Sequence, residues 1–133
     1  MILNNLSILI AEDDFDDAEI IQESFLNNSH FSKVDVVKNG QELINYLKNC
    51  NACPHIILTD VNMPIMDGIE ALEQISKDPV LSKIPCFVYS TSLNPTYEAK
   101  CDELGVKGFI VKPYTLEEFD NIPKEIITLL SKS

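Results

Sequence analysis

The stretch Ile56-Ile57-Leu58-Thr59-Asp60-Val61-Asn62-Met63-Pro64-Ile65-Met66-Asp67-Gly68 decides the architecture. It opens on an unbroken apolar run, passes through an acid, and closes on Pro and Gly before a helix-period segment begins. A short continuous apolar run predicts a strand covered on both faces, the environment of a parallel sheet. The same pattern recurs outward from it. Strands are predicted at Ser7–Ala11 around Ile8-Leu9-Ile10, at Val34–Val37, at Ile56–Thr59, at Cys86–Ser90 around Phe87-Val88-Tyr89, and at Gly108–Val111.

Segments with a helical stripe fill the intervals. Asp16–Asn27 aligns Ala18, Ile21 and Phe25. Gln41–Asn49 aligns Leu43, Ile44 and Leu47, with Asn39-Gly40 as the turn before it. Ile69–Lys77 aligns Ile69, Leu72 and Ile75. Asn94-Pro95 predicts a helix over Pro95–Glu103 that Gly105 ends. The last stripe uses Phe119, Ile122, Ile126 and Leu130, but Pro123 would break a helix running through it. The expectation is a loose turn over 115–120 and then a helix from Asn121, with Asn121 as its cap and Pro123 in its first turn. Five βα units in succession predict an α/β fold, a doubly wound five-stranded parallel sheet (βα)5 with right-handed crossovers. At 133 residues the chain predicts a single domain over 1–133.

Charge narrows the function. Ten Lys oppose 21 acids and there is no Arg, giving a formal charge of −11. A surface of that sign repels phosphate backbones, so nucleic acid is not an expected partner. No run approaches the roughly 20 apolar residues of a membrane span. The N-terminus lacks the basic start of a secretory signal, and the expected location is the cytoplasm. Seven acids and no Lys fall in the first 32 residues: Glu12, Asp13, Asp14, Asp16, Asp17, Glu19 and Glu23. They fit either a solvated helix face or a cation site.

The cysteines predict little chemistry. Cys50-Asn-Ala-Cys53 has CxxC spacing, but no second CxxC or HxxxH accompanies it. It reads as an ordinary loop at a helix end. Cys86 and Cys101 read as small buried hydrophobes. His30 and His55 are isolated and read as structural or surface residues.

Ligands of doubly wound sheets bind beyond the carboxyl ends of the strands. Those ends carry Glu12-Asp13-Asp14, Asp60-Val61-Asn62, Ser90-Thr91-Ser92 and Lys112-Pro113. Crowded carboxylates repel one another unless a cation joins them. A hard divalent ion suits oxygen ligands, and Lys112 and Ser90 would serve an anionic group beside it.

Together these motifs resemble the receiver domain of two-component response regulators. The carrying residues are Ile-Ala-Glu12-Asp13-Asp14, Leu-Thr-Asp60-Val-Asn-Met-Pro-Ile-Met-Asp67-Gly68, Tyr-Ser90-Thr-Ser and Gly-Phe109-Ile-Val-Lys112-Pro113. Ser90 and Lys112 follow Asp60 by 30 and 52 residues, as in the family. The resemblance covers Leu6 to about Leu130 and implies a flavodoxin-like, CheY-like three-layer α/β/α sandwich. It implies that Asp60 accepts a phosphoryl group from a histidine kinase or histidine phosphotransfer protein. Asp13 would bind Mg²⁺ directly, Glu12 through water, and Asn62 through its backbone carbonyl, with Asp60 completing the set. Lys112 would pair with the phosphoryl group, Ser90 would be the switch hydroxyl and Phe109 the switch aromatic. The Lys112-Pro113 peptide is expected to be cis, as in the family.

Departures are few. Glu12 stands where Asp is commoner, Ser90 where Thr is commoner, and Pro123 is atypical of the last helix. The expected state is a monomer or weak dimer that signals through contacts with a downstream protein, without a DNA-binding output domain and without being an enzyme. Two other classes fit less well. An aspartyl-phosphate phosphatase would want a second Asp where Asn62 stands. A cofactor-binding flavodoxin-like module would want a Ser/Thr/Gly-rich loop where the chain has Glu12-Asp13-Asp14.

Overall fold

The apolar runs form the strands they predict, with small extensions. The computed structural model describes residues 3–91 and 94–132. Its strands are β1 (Leu6–Ala11), β2 (Phe31–Val37), β3 (Ile56–Asp60), β4 (Cys86–Ser90) and β5 (Gly108–Val111). All neighbouring pairs are parallel, in the order β2-β1-β3-β4-β5. The winding direction reverses between β1 and β3, so the crevice beyond their carboxyl ends is the ligand position of such sheets.

The helices are α1 (Phe15–Leu26), α2 (Gly40–Asn49), α3 (Gly68–Lys77), α4 (Pro95–Glu103), the single turn α5 (Leu116–Phe119) and α6 (Asn121–Ser131), with a 3₁₀ turn at Leu81–Lys83. Local chemistry sets their starts. Asp14 accepts from the Asp17 N–H at 2.9 Å, Asn39 from Glu42 N–H at 2.9 Å, and Asn94 from Thr96 N–H at 2.9 Å ahead of Pro95. Asp67 and Glu70 form a reciprocal capping box at α3. Gly105 ends α4 with φ +81°, a conformation that costs glycine least.

Alternate residues of the strands feed two cores. Ile10, Leu58, Phe87 and Ile110 pack with Ile21, Phe25 and Ile126 on the side of α1 and α6. Leu9, Ile57 and Val88 pack with Leu43, Leu72 and Cys101 on the other side. The result is the expected three-layer sandwich.

Three expectations are corrected. Asn121 does not cap α6. Asp120 precedes it in helical conformation (φ −66°, ψ −17°) with no side-chain cap bond, because α5 runs straight into α6. Thr115 does the capping instead, accepting from Glu118 N–H at 3.2 Å, and Pro123 sits in the first turn of α6 as expected. Cys50 and Cys53 are joined by a disulfide rather than lying free in a loop. The chain leaves α2 extended at Cys50 and turns back, bringing the two Cα atoms to 5.4 Å, within the range that a disulfide spans. No peptide bond among the described residues is cis, so Lys112-Pro113 is trans. Trans is the isomer X–Pro bonds favour by about 0.5–1 kcal/mol.

Candidate functional site

Period-two alternation along four strands builds the site. Ile8 and Ile10 are followed in phase by Glu12, Leu58 by Asp60, Phe87 by Tyr89, and Ile110 by Lys112. The apolar members belong to one core, and the polar ones crown it at the carboxyl edge of the sheet. Pairing places Asp60 opposite Tyr89, and Tyr89 opposite Ile110.

Lys112 is the hub. Its ammonium lies 2.6 Å from Glu12 Oε1, 3.0 Å from Asp60 Oδ2 and 3.4 Å from Asp17 Oδ2. It also stands 4.9 Å from the centroid of the Tyr89 ring. Asp60 Oδ1 accepts from the Val61 N–H at 2.7 Å. Glu12 has further donors: Oε1 also accepts from the Tyr89 hydroxyl at 2.5 Å, and Oε2 from the Asp14 N–H at 3.1 Å. Glu12, Asp60 and Lys112 are at most 7% exposed, so these pairs are little screened by water.

The electrostatics follow from that burial. Burial pushes the Asp60 carboxyl up, the Lys112 ammonium opposes the rise, and the charge of Glu12 adds to it. Burial disfavours the Lys112 ammonium, but the hydrogen bond to Glu12 and the charge of Asp60 outweigh it and hold Lys112 above the ordinary lysine value. Burial first, and then Glu12, push the Tyr89 hydroxyl well above the usual tyrosine value.

One carboxylate oxygen each from Glu12, Asp13 and Asp60 lies within 4.8 Å of the others. Asp13 is exposed at the rim. An all-oxygen cluster of three carboxylates with one open side fits a hard divalent cation. Asp14, Asp16 and Asp17 belong to the start of α1, as expected of acids favoured by a helix N-terminus.

The loop after Asp60 is built for close approach. The Gly68 N–H donates to Val61 O at 2.9 Å, and a Cβ on Gly68 would come 2.0 Å from the Asp60 carbonyl oxygen. Met66 N–H donates back to Pro64 O at 2.7 Å across Ile65, whose φ is +69°. A β-branched residue in that region is strained. The Gly40 N–H, donating to Met66 O at 2.8 Å, ties the loop to the start of α2. Asn62 is exposed in the same loop.

The two residues expected to switch lie on the opposite face of the sheet. Ser90 is buried at the end of β4, and its carbonyl accepts from the Lys112 N–H at 2.7 Å. Phe109 pairs with Val88, two residues before Ser90 on the same face, and is half-buried against the second core. Ser92, quoted above with that strand end, lies outside the described residues. Sequence reasoning missed Tyr89 and Asp17 as members of the site. The alternation that puts Tyr89 in phase with Phe87 was the available signal.

A family model described as the response regulator receiver domain matches residues 8–123. The chain belongs to the response regulator receiver family. This receiver is 32% identical to the chemotaxis protein CheY-3 of Vibrio cholerae over 115 residues, 86% of each protein. It is 30% identical to a protein-glutamate methylesterase/protein-glutamine glutaminase of Methanococcoides burtonii, but spans only 34% of that enzyme. Among solved structures it is similar to the phosphorylated cyanobacterial phytochrome response regulator RcpA, at 33% identity and TM-score 0.88, covering 97% of this chain and 96% of that one. It is also similar to the Mn²⁺-bound form of the response regulator Rcp1, at 26% identity and TM-score 0.81, covering 92% of both. Receivers are signalling domains that are phosphorylated on an aspartate, use Mg²⁺ and interact with histidine kinases and phosphotransfer proteins. Among the described residues of this receiver no helix is long and apolar enough to cross a membrane.

Proposed function

We propose that Asp60 is the phosphoacceptor of this receiver, taking a phosphoryl group from the phosphohistidine of a kinase or phosphotransfer protein. The observation that carries the reading is the Asp60 carboxylate itself. It is held at Oδ2 by Lys112 and at Oδ1 by the Val61 N–H, beside Glu12 and Asp13.

An Asp60 oxygen attacks the phosphorus, the phosphorus–nitrogen bond breaks, and the electron pair leaves with the histidine nitrogen, which takes up a proton. The product is an acyl phosphate. Asp60 is a nucleophile as its carboxylate, and Lys112 keeps that form available by opposing the effect of burial. Such transfer depends on positioning and charge neutralisation. Asp13, Asp60, Glu12 and the Asn62 backbone carbonyl would hold Mg²⁺, which when bound would offset the charge on the phosphoryl oxygens. Lys112 would neutralise one of those oxygens and Ser90 would donate to another. Movement of Ser90 toward that oxygen would leave space for Phe109, a two-state element biased by one added charge.

In this reading the chain is a phosphoacceptor over residues 1–133 rather than an enzyme. It works in the cytoplasm as a monomer or weak dimer, and its output is contact with a downstream protein rather than nucleic acid. Incubation with Mg²⁺ and acetyl phosphate tests it. A labile phosphoryl adduct should form on the wild type and be absent from Asp60→Asn. An adduct that persists in Asp60→Asn overturns the assignment.

A further inference from the structure

Tyr89 has no role in the chemistry above, yet among the described residues its hydroxyl is one of the two side-chain donors to the buried Glu12 carboxylate. We infer that Tyr89 is a positioning residue that holds Glu12 toward Asp13 and Asp60, before phosphorylation and all the more when Lys112 turns to the phosphoryl group. The inference rests on the reading of the acidic cluster as a Mg²⁺ site.

The geometry is specific. Tyr89 is fully buried, and its ring is fixed in the core between β3 and β5. Its hydroxyl donates to Glu12 Oε1 at 2.5 Å, the same oxygen that lies 2.6 Å from Lys112 Nζ. Lys112 is divided among Glu12, Asp60 and Asp17, so a new anion on Asp60 draws it from Glu12. Glu12, at 1% exposure, would then keep only Tyr89 on Oε1 and the Asp14 N–H on Oε2. A buried carboxylate oxygen without a donor is costly, and a rigid ring supplies a donor that stays in place. Glu also has one more rotatable bond than the Asp commoner at this position, and the fixed hydroxyl removes that freedom.

A purely packing role would leave the same ring with an incidental hydroxyl contact. A double-mutant cycle separates the two, reading the Mg²⁺ dissociation constant by calorimetric titration of the wild type, Tyr89→Phe, Glu12→Asp and the double variant. Tyr89→Phe should weaken Mg²⁺ binding about ten- to a hundredfold, in line with the loss of one hydrogen bond to a charged group. In the Glu12→Asp background the same change should have no effect, because the shorter carboxylate falls short of the hydroxyl. Equal affinities for wild type and Tyr89→Phe, or an equal loss in both backgrounds, overturn the inference. Should Tyr89→Phe fail to fold with Glu12 present yet fold with Glu12→Asp, that rescue is itself the coupling, and failure in both backgrounds overturns the inference. A wild type that binds no Mg²⁺ overturns the metal reading and this inference with it. Binding by the wild type with no coupling between the two positions overturns this inference alone.

Discussion

The Lys112 ammonium lies closer to Glu12 Oε1, at 2.6 Å, than to Asp60 Oδ2, at 3.0 Å. The site therefore holds its cation between the two acids rather than on the phosphoacceptor candidate alone. Lys112→Met would leave Glu12 and Asp60 buried without it. Breaking a buried pair in this way should destabilise the protein by about 3 kcal/mol at pH 7. The Asp60 carboxyl, already raised by burial, would rise further without its opposing charge. The native state then binds more protons than the unfolded state as pH falls, so stability is regained toward acid pH. Urea unfolding at pH 7 and pH 5 should show a smaller penalty at pH 5. Equal penalties would refute the account.

Alkaline stability should fall above pH 10. Lys112 and Tyr89 both hold their protons more tightly in the folded protein than the ordinary values of 10.5 and 10.0. Unfolded chains lose these protons first, so the stabilisation present below those values drains away as pH rises toward the folded ones. The slope is at most about 1.4 kcal/mol per pH unit for each group. Tyr89→Phe should make the fall between pH 10 and 11 shallower in chemical denaturation, and an unchanged slope would contradict the burial of that hydroxyl.

Two glycines should respond differently to alanine. In Gly68→Ala the new methyl would meet the Asp60 carbonyl oxygen at 2.0 Å, so α3 must shift from the end of β3. A loss of about 3 kcal/mol, with weaker phosphoryl uptake, is expected from such overpacking. Gly105→Ala meets nothing within 4 Å but must hold φ +81°. Its cost should be about 1 kcal/mol, with uptake unchanged. Parallel melts and acetyl phosphate assays of the two variants check both halves.

The thiols should be silent. Burial pushes Cys86 up to about 12 and, with help from Asp102 and Glu98, Cys101 up to about 11. Both are buried, and Cys50 and Cys53 are paired. Ellman's reagent should find no reactive thiol in the native protein and two in denaturant without reductant. Rapid labelling of native protein would place one of these thiols at the surface.

Much of this was legible in the residues. The runs around Ile8, Ile57, Val88 and Ile110 marked buried strands because an apolar run too short for a helix has one common home. Asn94-Pro95 and Gly105 bounded α4 by local backbone chemistry alone. Glu12, Asp13, Asp60 and Lys112 stood out because charged residues directly after such runs must lie at the edge of the sheet. Tyr89 did not stand out. Its hydroxyl meets Glu12 across 77 residues of sequence, and in a run beside Phe87 and Val88 it looks like any core aromatic. Asp17 looked like one more acid at a helix start, and its second role toward Lys112 depends on how α1 leans over the sheet. The left-handed Ile65 opposes its own local preference and is flanked by two bonds, from the Met66 N–H to the Pro64 carbonyl and from the Gly40 N–H to the Met66 carbonyl.

The residues by themselves determined the alternation of strand and helix, the two-faced burial of the sheet and the acids and lysine at its carboxyl edge. Periodicity, capping and turn chemistry act over a few residues, so they are written locally. Only the tertiary structure decided that Lys112 divides itself among Glu12, Asp60 and Asp17, and that the Tyr89 hydroxyl meets Glu12. Those outcomes turn on strand register, stagger and helix lean. Shifts of about an ångström there decide which buried donor meets which acceptor, and hydrogen bonds weaken steeply over that distance.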